Sequence, residues 1–135
     1  LQCRRALLAL SDPKGEALVG RLSAGSLEHG HLKLFRILLD EDADLLSACA
    51  RKGADLLISD ASAANIAPRL PAWYRQHFEA GSFLLLPLTF GGAPKAMIYA
   101  DSEHRGALQI DEHALGLLRD IRNQALTAFR QAVAP

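Results

Sequence analysis

The sequence predicts an α/β domain of the α+β type, a central, mainly antiparallel six-stranded sheet with helices packed on it. Three observations lead there. The apolar runs Cys3 to Leu10 and Glu16 to Leu22 are joined by Ser11-Asp12-Pro13-Lys14-Gly15, whose Pro and Gly suit a tight turn. The runs Phe83 to Phe90 and Lys95 to Ala100 are joined through Gly91-Gly92. The remaining segments do not alternate strictly between strand and helix. Two hairpins without that alternation argue against a doubly wound parallel sheet.

The elements follow in order. After the first hairpin, Ser23 to His31 reads as a loop. Leu32 to Leu39 reads as a strand whose set Lys33, Phe35, Ile37 and Leu39 faces the core, because Phe35 is bulky and Ile37 β-branched. The acidic run Asp40 to Asp44 suits a helix N-terminus. That helix should reach Lys52, with Gly53 as its stop and Leu45, Leu46, Cys49 and Ala50 as its buried stripe. Asp55 to Asp60 is a short strand. Pro71 suits the first position of a helix running to Phe78. Pro87, inside the Phe83 strand, demands a bulge or an unpaired N–H. Asp101 to Gln109 reads as a polar loop. Asp111 caps a closing helix reaching Ala132, with Ala114, Leu118, Ile121, Ala125, Ala128, Phe129 and Ala132 as its inner stripe.

Composition narrows the function classes. A chain of 135 residues fits one domain, residues 1 to 135. Lys plus Arg and Asp plus Glu each total 15, so the charge balance lacks the basic excess of a nucleic-acid domain. It also lacks a polybasic handle for membranes. The most apolar run, Phe83 to Leu88, has six residues, too short to span a bilayer. No signal-peptide pattern opens the chain. Leu1 in place of Met leads us to expect an excerpt of a longer polypeptide with further domains. Cys3 and Cys49 make no disulfide framework and fit reduced thiols of a cytoplasmic protein.

Several stretches together carry a resemblance. They are Asp55-Leu56-Leu57-Ile58-Ser59-Asp60-Ala61, Leu70-Pro71-Ala72-Trp73-Tyr74-Arg75, Ser82 to Leu88, Met97-Ile98-Tyr99-Ala100-Asp101, and the helix from Asp111. A strand ending in Pro-Leu, a glycine turn, a second apolar strand and a closing helix resemble a GAF domain. Leu-Pro-Ala-Trp-Tyr and Ile-Tyr-Ala-Asp are similar to the GAF-type domain that follows HDOD domains in bacterial signalling proteins. The resemblance covers residues 5 to 131. It implies a six-stranded antiparallel sheet, a helical layer and a pocket that in many members takes a small molecule. Other members serve as dimerisation or relay modules. Two ligand classes are not matched. Asn65 is followed by Ile66, which breaks the cyclic-nucleotide signature, and no cysteine sits in the Cys-His context that binds bilins.

Ligand-binding candidates on the resemblance are Asp60, Asn65, Trp73, Tyr74, His77 and Tyr99. Trp73 and His77 are one helical turn apart and share a face, suited either to stacking on a planar ligand or to covering the core. His29-Gly30-His31 has a spacing that can hold Zn²⁺, but no further ligand is placed to complete four, so a solvated loop and no metal are expected. Asp101-Ser102-Glu103-His104-Arg105 holds acid–base groups, yet reads as a solvated connector. No Walker loop, His-Glu-x-x-His, nucleophile elbow or dinucleotide fingerprint occurs, so no catalytic residues and no cofactor are expected.

The expected function is therefore non-catalytic sensing or signal relay. The alternatives are a structural dimerisation module without a ligand, or a thiol-dependent methionine sulfoxide reductase using Cys3 and Cys49. Leu115, Leu126 and Val133 form a second apolar stripe on the closing helix, with Arg119 and Arg122 between them. That stripe is the expected interface of a homodimer.

Overall fold

The computed structural model describes residues 4–25, 30–39 and 44–106, and, within the closing helix, Gly116, Arg119, Asp120, Arg122, Asn123, Gln124 and Thr127. Strand β1 (Arg5–Ser11) turns through Asp12-Pro13-Lys14-Gly15 into β2 (Ala17–Gly25). Asp12 closes that turn, its carboxylate accepting from the Glu16 amide at 2.8 Å and its carbonyl from the Gly15 amide at 3.1 Å. The register shifts between Leu8 and Ala9, which face Leu22 and Gly20, so Arg21 is the extra residue of a bulge.

The strand expected over Leu32 to Leu39 is shorter than predicted. His31–Leu34 form a 3-10 turn, and β3 is only Arg36–Leu38. The reason lies on the neighbouring strand. A Cβ on Gly20 would stand 2.3 Å from the Leu32 carbonyl oxygen, so the missing side chain is what lets this turn cross β2. Over β3 the expected facing holds, with Phe35 and Ile37 buried and Arg36 and Leu38 exposed, but in the 3-10 turn Lys33 is exposed and Leu32 packs against the core instead.

Helix α1 (Leu45–Lys52) begins where Asp44 accepts from the Ser47 amide at 2.8 Å. It ends at Gly53, at φ 68°, whose amide donates to the Cys49 carbonyl at 3.0 Å. The expected stripe Leu45, Leu46, Cys49 and Ala50 is buried. Strand β4 (Leu56–Ile58) leads to a loop containing a second 3-10 turn, Ala67–Arg69. Helix α2 (Ala72–His77) follows, with Pro71 one position earlier than expected, as its N-cap in extended conformation.

Strand β5 (Ser82–Phe90) pairs antiparallel with β6 (Ala93–Ser102) through the Gly91-Gly92 turn, as predicted. Pro87 lies two residues past Leu85, where the β4 pairing ends, so on that side β5 is an edge and no ladder bond is lost. A register shift follows between Leu88 and Thr89.

The sheet order is β3-β2-β1-β6-β5-β4, with every pairing antiparallel. One face carries Leu7, Ala9, Leu18, Phe35, Ile37, Phe83, Leu85, Met97 and Tyr99 against α1 and α2. The opposite face buries Leu84 and Leu86 with Ile98 beside them. In the closing helix Asp120, Asn123, Gln124 and Thr127 are exposed, on the side away from the expected inner stripe. Arg119 and Arg122 are engaged within the chain. Both reach Asp55 at the start of β4, Arg119 at 3.3 Å. No helix among the described residues is long and apolar enough to cross a membrane.

Candidate functional site

The pairing registers build the site. On β6 a period of two sets Met97, Tyr99 and Asp101 on one face. The β1 register places Leu7 opposite Tyr99 and Arg5 opposite Asp101, and the β5 register places Phe83 opposite Asp101. A charged pair thus lies on the apolar face, under α2.

Asp101 is fully buried and Arg5 nearly so. Arg5 Nε donates to Asp101 Oδ2 at 2.9 Å, and the same oxygen accepts from the Tyr99 hydroxyl. Tyr99 in turn meets the Tyr74 hydroxyl of α2 at 2.8 Å. Arg4 approaches Asp101 at 3.4 Å and Glu103 at 3.5 Å. Both guanidiniums also donate to the Phe78 carbonyl at the end of α2, Arg4 at 2.9 Å. That carbonyl is one that a helix end leaves without an intrahelical partner, and a cation suits it. The Arg5 guanidinium carbon lies 4.9 Å from the Phe78 ring centre.

Burial, first of all, raises the pKa of Tyr99 and Tyr74 above the ordinary phenol value, so both phenols stay protonated at neutral pH. Among the described residues no buried side-chain nitrogen or oxygen lacks a hydrogen-bond partner. The network is closed.

Aromatic rings surround it. Tyr74 stacks parallel to Phe78 at 5.8 Å, and Phe83 stacks on Tyr99 at 6.2 Å. Trp73, half-buried, meets Phe35 edge-on at 5.3 Å. His77 meets His31 edge-on at 5.8 Å, joining α2 to the 3-10 turn before β3.

The structure therefore brings together four of the residues named from the sequence: Trp73, Tyr74, His77 and Tyr99. Asp60 and Asn65 stand apart from them. Asp60 accepts from the Ser62 amide at 3.0 Å and from its hydroxyl at 2.6 Å, and Arg105 lies 3.9 Å away. Asn65 is exposed on the loop before α2. Leu115, Leu126, Val133, His29 and Cys3 lie outside the described residues. Among the described residues no three His, Cys, Asp or Glu side chains converge as metal ligands. A shallow groove of about 360 Å³ lies elsewhere, lined by Ser11, Gly15, Leu39, Arg51, Gly92 and Lys95 among others.

Sequence reasoning missed Arg4 and Arg5, and its expectation of a solvated connector from Asp101 is corrected by the structure, where Asp101 and Ser102 are buried at the end of β6. A signal was present: Arg5 shares the inward set of β1 with Leu7 and Ala9, so its charge had to be answered inside. Asp101 holds the matching parity on β6, but it was read as the start of a loop. Cys49 is buried, with its thiol donating to the Ala54 carbonyl at 3.0 Å. Burial above all pushes that thiol up to about 12.

None of the curated proteins matches the chain. Solved structures do. The GAF domain of the Acinetobacter phosphoenolpyruvate-protein phosphotransferase matches at 18% identity and TM-score 0.71, covering 98% of this chain and 76% of that one. A GAF domain/HD domain protein from Geobacter sulfurreducens matches at 14% identity and TM-score 0.74, covering 100% and 87%. The free methionine-R-sulfoxide reductase of Neisseria meningitidis, solved in complex with its substrate, matches at 26% identity and TM-score 0.66, covering 97% and 71%. The GAF domain family model matches residues 1–129, and with the six-stranded antiparallel sheet this establishes that the chain belongs to the GAF domain family.

Proposed function

We propose that the chain is a non-catalytic regulatory module, which senses a small molecule or relays a signal inside a larger bacterial signalling protein. The observation that carries this reading is the closed state of its acid–base groups. The Asp101 carboxylate is occupied by guanidiniums and a phenol, and burial keeps Tyr74 and Tyr99 protonated. A general acid or base needs a proton poised to move near neutral pH, and the two phenols hold theirs. The accessible part of the site is aromatic: Trp73 and His77 are half-buried, whereas Tyr74 and Tyr99 are buried. Such an aromatic surface suits a planar ligand stacked on Trp73 and His77. GAF domains of signalling proteins share the fold, which supports the regulatory role. On Leu70 to Arg75 and Ile98 to Asp101, the companion domain is of the HDOD type, in a cytoplasmic protein.

A second reading has its own observation. The 26% identity to a free methionine-R-sulfoxide reductase favours thiol chemistry. Against it stands Cys49, buried and with its thiol at about 12, which leaves little thiolate to attack a sulfoxide.

One experiment separates the readings. Thermal unfolding is followed with a panel of planar metabolites and, separately, with free methionine sulfoxide under thiol turnover conditions. A ligand at 100 times its dissociation constant stabilises by about 2.7 kcal/mol, which reads as a shift of several degrees. The shift should be lost in Trp73→Ala. No shift with any metabolite points to the structural module, and turnover of the sulfoxide points to the reductase.

A further inference from the structure

We propose that Arg4 and Arg5 form a two-pronged latch that ties the end of α2 to the start of β1, so that the position of α2 is reported at the centre of the sheet. The Phe78 carbonyl accepts from both guanidiniums, although Phe78 stands 74 residues from Arg4 and 73 from Arg5. One turn earlier, Tyr74 grips the same structure from the inner side of α2, through Tyr99 to Asp101 Oδ2. Both grips end on one carboxylate. Helix α2 therefore cannot shift along one grip and keep the other.

The backbone beyond the latch is under tension. Glu79 has φ 45°, the one positive φ at a non-glycine position among the described residues. A left-handed conformation costs a residue with a Cβ free energy and persists where its surroundings hold it. Here the Glu79 amide reaches the Tyr74 carbonyl at 3.4 Å, and the pair of arginines holds the residue before it. Releasing Phe78 lets Glu79 relax, which gives the segment two discrete arrangements. Arg5 stays with Asp101 in both, because a fully buried carboxylate left without its cation is costly. Arg4 is the prong that moves. Its side chain is 19% exposed, and Glu103, 61% exposed, already stands 3.5 Å from it as the alternative partner.

Coupling of this kind is reciprocal, so a break at either end must be felt at the other. The test is hydrogen exchange by mass spectrometry on the 135-residue chain without any ligand. Arg4→Met removes one prong, and Tyr74→Phe removes the relay at almost unchanged volume. Loss of one charged hydrogen bond corresponds to about tenfold in an equilibrium. Arg4→Met should speed exchange over residues 72 to 79 about tenfold. Tyr74→Phe, which deletes a neutral hydrogen bond, should speed exchange over residues 4 to 8 about fivefold. The double variant should gain less than the product of the two. Ser62→Ala, which removes a hydroxyl that donates to Asp60, should change neither segment. Acceleration confined to each variant's own segment, or a double variant equal to the product, overturns the latch. Should Arg4→Met fail to fold, Arg4→Lys is read by the same criteria. The latch rests on the regulatory reading for its purpose alone. The exchange result stands whether or not a metabolite is found, and a metabolite shift stands whether or not the segments are coupled.

Discussion

Asp101 shows how one residue can organise an interior. A lone carboxylate on an apolar sheet face would be unstable there, because removing its charge from water is expensive. It is tolerated because Arg5 faces it across the β1–β6 ladder and Tyr99 donates to it from two residues away on the same face. The cation and the anion depend on each other. Asp101→Asn keeps the shape and deletes the charge, leaving the buried Arg5 guanidinium without its counterion. We expect a loss of about 3–5 kcal/mol, the range for breaking a buried pair from one side. That is a large part of the 5–15 kcal/mol typical of a folded domain. Urea unfolding monitored by circular dichroism checks it, and an unchanged midpoint would mean that the pair contributes little.

The elements are set by their boundaries more than by their interiors. Helix α1 has eight residues, too few to persist alone in water, so its caps and its buried stripe decide it. Asp44 supplies the N-cap acceptor and Gly53 the left-handed stop. Asp44→Ala should cost about 1 kcal/mol, the usual worth of such a cap. Amide exchange in residues 45 to 48 should quicken before that of the β-strands, and protection unchanged there would remove the cap from the account. The 3-10 turn at His31–Leu34 is the opposite case, an element whose boundary is set from another strand. Its residues have a strand-like apolar pattern, but the chain turns because Gly20 leaves a space that the Leu32 backbone occupies.

At the scale of the molecule, the sheet separates two working faces. One packs α1 and α2 over the Asp101 network, and the other buries Leu84 and Leu86. The closing helix is fastened to its own domain through Asp55, which receives Arg119 and Arg122. By helical spacing those two arginines flank the stripe of Leu115, Leu126 and Val133. The homodimer proposed on that stripe has therefore to form beside an ion pair internal to each chain. Sedimentation of the wild type beside Leu126→Glu decides it. We expect a dimer in the wild type and a monomer in the variant. A wild type that stays monomeric at high micromolar concentration refutes the dimer, and a dimer indifferent to the substitution refutes this interface.

The sequence by itself determined what short-range chemistry controls. Asp12 to Gly15 and Gly91-Gly92 specified hairpins, because turn residues act on their own backbone. Alternation told the buried side of β3, and Gly53 marked the end of α1, for the same local reason. The resemblance named Trp73, Tyr74, His77 and Tyr99 together with Asp60 and Asn65, and only the fold separates the four rings from the two loop residues. Tertiary structure alone decided the partners that lie far apart in the chain. Arg5 and Asp101 are 96 residues apart, and Arg122 and Asp55 are 67 apart. No local rule pairs them. Sheet register brings the first pair face to face, and the fold of the closing helix onto β4 brings the second. For Arg5 and Asp101 burial then turns the meeting into a requirement, since a charge removed from water must be answered by whatever the fold has placed beside it.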